Sequence, residues 1–361
     1  MAAAAVCGLA AGAFACGVAL HDGTSPTPSL ASRLGLSQLA GQRIVLGFRG
    51  ASPSAEVERL IRTGQVAGVV LFSPNLPSRA AGRRLIGWLQ ETPRPPGLRE
   101  PLLVMTDQEG GLVERVEGAP SLSARAMGER GGAFSRAQGR RTAANLRGLG
   151  VNVDLAPVLD VARPGGTIGE TDRAFGDTAA RVAATAVPFA VGLQEGGVAA
   201  TAKHFPGFGS ARLSTDDAVQ RIGLSARTLR EVDEAPYRSF VAAGGRMVML
   251  STAIYPALSP LPAAFSPAVA TGVLRGRLGF EGVSITDALD TVAVRGFGDT
   301  DEVAIAAARA GADLLLYTKP GDAASAQRTL LRGLRSGTLS RAAFEESAGR
   351  VLRLRHGLGG P

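Results

Sequence analysis

Past residue 40 the chain alternates between short apolar runs, many with β-branched residues, and longer segments of Ala, Leu and Arg with helical spacing. Eight runs stand out: Arg43 to Phe48, Ala67 to Phe72, Leu102 to Thr106, Val151 to Val158, Val198 to His204, Arg246 to Ser251, Gly282 to Thr286 and Ala312 to Tyr317. Their apolar character is nearly continuous, as in Val-Val-Leu-Phe and Leu-Leu-Leu-Tyr, where a strand with one wet face would alternate. Such runs predict strands buried on both faces, hence a parallel sheet. The segments between them are mostly long enough for crossover helices, the best candidates being Ser54 to Arg62, Ser135 to Leu149, Thr178 to Glu195, Ser225 to Ala243 and Thr300 to Ala310. Ala323 to Leu354 reads as two further amphipathic helices. Eight β-α units predict an α/β fold, a closed (β/α)8 TIM barrel forming one domain over residues 33–361; an open doubly wound sheet is the alternative.

Composition narrows the function. With 45% hydrophobic and 19% charged residues in 361, the chain has the makeup of a soluble globular protein. Only two of its 39 basic residues are lysines, Lys203 and Lys319, which together with 48 glycines suggests GC-rich codon bias. The net charge of +8 is scattered, without a basic run and interleaved aromatics, so no nucleic-acid partner is expected. Both cysteines, Cys7 and Cys16, lie in the first 20 residues, which excludes disulfides, thiolate zinc sites and cysteine nucleophiles from the rest of the chain. Residues 1–32 read as an export signal or anchor plus linker: the uncharged Ala2 to Leu20, then the Ser/Thr/Pro-containing Gly23 to Ser32. Ala-Phe-Ala-Cys ending at Cys16 resembles a bacterial lipobox, although the positively charged start of a signal is missing. No later apolar run approaches the ~18 residues of a membrane span. The expectation is an exported monomer that meets a membrane only through its N-terminus.

In a barrel, chemistry gathers where strands end, so the residues that follow each run matter most. The third run ends in Thr106-Asp107-Gln108-Glu109-Gly110-Gly111, the fourth leads into Asp154 and Asp160, and the fifth ends in Lys203-His204-Phe205-Pro206-Gly207. The sixth ends in Ser251-Thr252 and the seventh in Thr286-Asp287. Carboxylates around one lysine and one histidine suit a polyhydroxylated ligand and carboxylate chemistry. Each Asp after a strand also fits a helix N-cap, and His204 also fits a satisfied core residue. Gly207-Phe208-Gly209-Ser210 lacks both the full GxGxxG spacing and a GK[ST] ending, so it is not read as a phosphate loop.

Taken together these motifs resemble glycoside hydrolase family 3. The resemblance rests on Asp107-Gln108-Glu109-Gly110-Gly111 with Arg115, on Asn152 to Val161, on Asp172-Arg173-Ala174-Phe175-Gly176, on Lys203 to Gly209 and on Ser284-Ile285-Thr286-Asp287, in matching order and spacing from Leu34 to Leu354. More narrowly the chain is similar to the single-barrel bacterial β-N-acetylhexosaminidases that act on peptidoglycan fragments. The resemblance implies a carbohydrate substrate and a retaining mechanism with Asp287 as nucleophile. Asp107, Arg173, Lys203 and His204 would hold the non-reducing sugar, while Arg115 would bind sugar or orient Asp107 or Glu109. No metal or organic cofactor is implied.

One departure bears on the mechanism. In these hexosaminidases the loop after Lys-His-Phe-Pro-Gly carries Asp-x-His, whose histidine is the acid and base; here the two places fall on Ser214 and Asp216, and Phe208 stands where a histidine is common. The other histidines are His21 and His356, far along the chain. Asp216 is the expected replacement, with Asp217 as its neighbour; a carboxylic acid performs this role in most retaining glycosidases. The alternatives are a sugar-binding barrel without acid and base, a glycoside phosphorylase, or an exo-glycosidase of other specificity.

Overall fold

The computed structural model describes residues 30–358. The apolar N-terminal segment and most of the linker therefore lie outside the described residues; the linker's last residues enter a 3-10 turn, Leu30–Arg33. Eight strands follow: β1 Ile44–Gly47, β2 Gly68–Val70, β3 Leu103–Thr106, β4 Val153–Asp154, β5 Ala199–Phe205, β6 Met247–Leu250, β7 Val283–Thr286 and β8 Leu315–Tyr317. Each lies within or overlaps one predicted run. All neighbours pair in parallel, in the order β7-β6-β5-β4-β3-β2-β1-β8. The bridge between Ile285 and Leu314 brings β7 back to β8 and closes the barrel.

The closing seam relies in part on side chains. Beside the backbone bonds from Thr286 and Leu314, the Leu316 amide donates to the Thr286 hydroxyl at 3.1 Å rather than to a carbonyl. Just past the strands, the Thr318 amide and hydroxyl both donate to Asp290, the hydroxyl at 2.7 Å.

Strand alternation explains the continuous apolar runs. Val45, Leu103, Met105, Met247 and Met249 belong to one cluster within the barrel, while Ile44, Leu46, Val104, Val248 and Leu250 pack outward in the larger cluster under the helices. Both faces of every strand are thus dry. The helices begin where their capping residues predict, as at Ser54, Thr178 and Asp299, whose side chains accept amides of the first turn. Gly139 and Gly192 let the helices Gly132–Arg147 and Ala179–Glu195 touch backbone to backbone, since a Cβ at either would collide with a carbonyl of the other helix. The C-terminal pair, Pro320–Ser336 and Arg341–Gly357, completes the outer ring.

Ser225 to Ala243 departs from the single helix expected. It splits into Ala226–Thr228, a π-helical stretch Leu229–Asp233 and Ala235–Ala242. Pro236 sits in the first turn of the last piece, and the break lets Asp233 and Glu234 turn inward. Asp233 takes both guanidinium nitrogens of Arg163 at 2.8 Å, and Glu234 pairs with Arg277.

At the opposite end from the loops, the barrel base is closed around Asp313, which is fully buried. Its Oδ2 accepts the Ser284 amide (2.8 Å), the Ser284 hydroxyl (3.1 Å) and Arg275 (2.5 Å). Its Oδ1 accepts Arg350 Nε at 3.0 Å and Nη2 at 2.9 Å.

Candidate active site

The loops at the C-terminal ends of the strands enclose a cavity of about 490 Å³. All seven residues expected to serve the site, Asp107, Arg115, Arg173, Lys203, His204, Asp216 and Asp287, line it. The structure therefore brings the whole candidate set together, although it comes from four different strand-to-helix segments.

The deep wall is an ionic cluster. Lys203 Nζ lies 2.6 Å from Asp107 Oδ1 and 2.7 Å from Glu109 Oε1, and Arg173 grips both oxygens of Glu109 at 2.8 Å. Burial by itself would raise the Glu109 pKa, but Lys203 and Arg173 overcome it and hold the carboxyl well below its usual range. Likewise burial disfavours the Lys203 ammonium, yet Asp107 and Glu109 keep its pKa above the ordinary value. Beneath them, Asp154 takes the Gln108 amide on Oδ1 at 3.0 Å and leaves Oδ2 without a partner. Burial pushes its carboxyl well above the normal range, against the opposing pull of the Gln108 amide and Lys203.

The Arg115 side chain makes no hydrogen bond or ion pair with Asp107 or Glu109, which are held by Lys203 and Arg173. Its backbone amide donates to Gln108 Oε1 at 3.0 Å, and its side chain lines the cavity with a buried Nε that has no partner.

His204 is fixed by Asp160. The Asp160 carboxylate lies 2.8 Å from Nδ1 and also accepts the amides of His204 and Phe208, the latter at 2.7 Å. An oxygen already receiving amide protons is an acceptor, so Nδ1 carries the hydrogen and Nε2 is left for the cavity. The Phe208 ring packs on the imidazole at 5.6 Å. Beyond it, Gly209 passes so close to the Val161 carbonyl that any Cβ would collide, which pins the start of the β5 loop to the β4 loop.

Asp287 follows β7, and no helix begins there, so the N-cap reading does not apply. Its Oδ1 accepts the Ala288 amide at 2.8 Å, and Oδ2 has only a long contact of 3.4 Å from the Thr215 hydroxyl. Asp216 stands on the same loop as Thr215, accessible to solvent at the cavity wall. Partial desolvation, reinforced by the Asp287 charge, raises its pKa above the ordinary carboxylate value. Asp217, its neighbour, is exposed and is not among the cavity-lining residues.

Sequence reading passed over Asp290, Thr291, Arg295 and Thr318, which also line the cavity, and did not connect Asp160 with His204. The available signal for the first three was their place in the loop directly after Asp287.

Comparison with known proteins bears on the family and the fold. The model of the glycosyl hydrolase family 3 N-terminal domain matches residues 34–354. An uncharacterized secreted glycosyl hydrolase of Arthroderma benhamiae is 36% identical, over 88% of this chain and 93% of that protein. A beta-hexosaminidase of Xylella fastidiosa is 36% identical, over 82% of this chain and 88% of its own length. A family 3 beta-N-acetylglucosaminidase structure from Paenibacillus superposes with a TM-score of 0.85 at 35% identity, covering 91% of this chain, which spans 64% of that longer one. The beta-N-acetylhexosaminidase of Beutenbergia cavernae superposes with a TM-score of 0.81 at 31% identity, covering 89% of this chain and 98% of that one. With the motifs, the barrel and the matched span in agreement, the chain belongs to glycosyl hydrolase family 3.

Proposed function

We propose that this cavity is the active site of a retaining, exo-acting β-N-acetylhexosaminidase that removes β-linked N-acetylglucosamine, with peptidoglycan fragments as the natural substrate class. The observation that carries the reading is a carboxylate with an open oxygen, Asp287, set in the same cavity as a preorganised cluster of donors and acceptors. Names of the relatives, beta-hexosaminidase and beta-N-acetylglucosaminidase, support the sugar.

Asp287 attacks the anomeric carbon as the glycosidic C–O bond breaks, and Asp216 gives its proton to the departing oxygen. In the second half Asp216 takes a proton from water, the water oxygen bonds the anomeric carbon, and Asp287 leaves as carboxylate. A raised pKa suits Asp216 to the first step. Asp107, Lys203 and Arg173 bind sugar hydroxyls through charge-assisted hydrogen bonds, His204 offers Nε2, and Arg115 supplies its unpartnered guanidinium.

Because the cavity is complete within one chain, a monomer suffices. The uncharged segment Ala2 to Leu20, together with the description of the Arthroderma relative as secreted, supports export, with Cys16 as a candidate lipid attachment. The test is turnover of an aryl β-N-acetylglucosaminide with and without phosphate, and trapping with a slow fluorinated analogue. Release of free sugar and a label on Asp287 are expected; sugar phosphate as product would make the protein a phosphorylase, and a label elsewhere would remove Asp287 from its role.

A further inference from the structure

Arginines scattered along the sequence are gathered by the fold at the base of the barrel, the end away from the cavity. Arg94 and Arg99 stand in the segment before β3, Arg147 closes the helix before β4, Arg246 precedes β6, Arg309 ends the helix before β8 and Arg353 is on the C-terminal helix. None of the six forms an ion pair among the described residues; where their guanidiniums bond, the acceptors are carbonyls, as from Arg94 to Leu98, Arg147 to Gly196 and Arg309 to Thr338. Arg94, Arg99 and Arg147 line one hollow of about 390 Å³ whose wall contains no carboxylate. Nearby acids are engaged elsewhere, Asp313 with Arg275 and Arg350 and Glu346 with Arg350, while Glu281 lies beside Arg246 and Arg353. At the rim, by contrast, carboxylates offset the cations: Asp107 and Glu109 hold Lys203 and Arg173, and Asp216, Asp287 and Asp290 line the same cavity.

The chain enters the structure at this cationic end. Leu34 lies against Gly97 in the segment before β3, and the Ser32 carbonyl accepts Arg341 Nη2 at 3.4 Å where the C-terminal helix begins. That helix also reaches under the barrel, with Arg350 on Asp313 and Arg355 donating to the Glu100 and Pro101 carbonyls. Residues 21–29, fully extended, span at most about 30 Å. An apolar Ala2 to Leu20 seated in a bilayer would therefore keep the base, and not the rim, next to the lipid surface.

We propose that the barrel base is a docking surface for anionic lipid headgroups, that the hollow of Arg94, Arg99 and Arg147 receives headgroup phosphate, and that the cavity thereby faces away from the membrane. This rests on the reading of residues 1–32 as an export signal or anchor, and adds to it a surface and an orientation. Guanidinium forks match phosphate oxygens, and each arginine near an anionic bilayer strengthens attachment about fivefold. A soluble polyanion would use the same charge but not the apolar segment joined to it, so the bilayer is the better fit.

The experiment measures binding of the full chain to vesicles of phosphatidylcholine alone and to vesicles with an equal part of phosphatidylglycerol. Neutral vesicles read the apolar segment, and the excess on anionic vesicles reads the base. That excess should be about 10²-fold in the parent and vanish near roughly 0.5 M salt. The triple variant Arg99→Gln, Arg147→Gln, Arg353→Gln should lose about 30-fold or more of it at an unchanged melting temperature, and the same three changed to Lys should keep most of it. A matched triple at exposed rim positions, Arg49→Gln, Arg212→Gln, Arg221→Gln, alters the net charge equally and should lose less than about threefold. No anionic excess in the parent, or equal losses from the base and rim triples, overturns the proposal. Tight binding of inorganic polyphosphate without preference between the vesicles also overturns it, assigning the face to a soluble polyanion. Cell fractionation that finds the chain only in the cytosol removes the export reading and, with it, the assigned orientation, whereas the vesicle result tests the surface alone.

Discussion

The barrel holds two carboxylate clusters at opposite ends, and their hydrogen-bond counts differ. At the base, Asp313 receives the Ser284 amide and hydroxyl, Arg275 and Arg350, and no part of it meets solvent. At the rim, Asp107 receives Lys203 and stays 17% exposed, and Asp287 has one close donor. Saturated acceptors can do nothing further, so the base group serves stability. Spare lone pairs facing a cavity are paid for in stability and are of use only to a ligand.

The contrast breaks most sharply at Asp287. Asp287→Asn should cut turnover on the order of 10⁴-fold or more while melting temperature stays close to the parent's. Asp313→Asn should do the reverse, costing about 3 kcal/mol in denaturant unfolding because Arg275 and Arg350 lose their counter-charge, with the folded fraction still active. Next comes Asp216→Ala, expected to slow substrates with poor leaving groups about 10²- to 10³-fold and activated aryl glycosides far less, with azide partly restoring the latter. Asp217→Ala beside it should show neither effect. A general acid must be protonated, so activity toward poor leaving groups should fall as pH rises through the elevated pKa of Asp216. Its removal should erase that alkaline limb. Smallest is Asp107→Asn, which keeps the shape but weakens the bond to Lys203 and to sugar, raising KM roughly tenfold with little change in thermal stability.

Much of this architecture is visible in the sequence. Strands buried on both faces leave nearly continuous apolar runs, and Val45 facing inward between Ile44 and Leu46 facing outward shows why successive positions are apolar. Family membership and the β-N-acetylhexosaminidase type of activity agree with the relatives. The helix Ser225 to Ala243 misleads because its apolar spacing persists through a break imposed by two buried carboxylates and a proline. Asp160 and His204 are 44 positions apart, and Asp290 and Thr318 are 28 apart, so only the closed sheet discloses these pairs. Arg295 carries no pattern at all; among 39 basic residues it is distinguished only by where its loop goes.

The seam between β7 and β8 has a consequence for how such a site changes over time. Elsewhere, apart from the β3 to β4 pair where Asn152 and Asp154 accept the Val104 and Gln108 amides, neighbouring strands are stitched mostly by peptide groups, which every sequence possesses and no substitution short of proline removes. At the seam the amides of Leu316 and Thr318 rest on the side chains of Thr286 and Asp290, so a single codon change can loosen or reset the wall that bears Asp287. Evolution thus holds an adjusting screw beside the nucleophile, and a directed-evolution library confined to positions 286, 290 and 318 would turn it without disturbing the rest of the barrel.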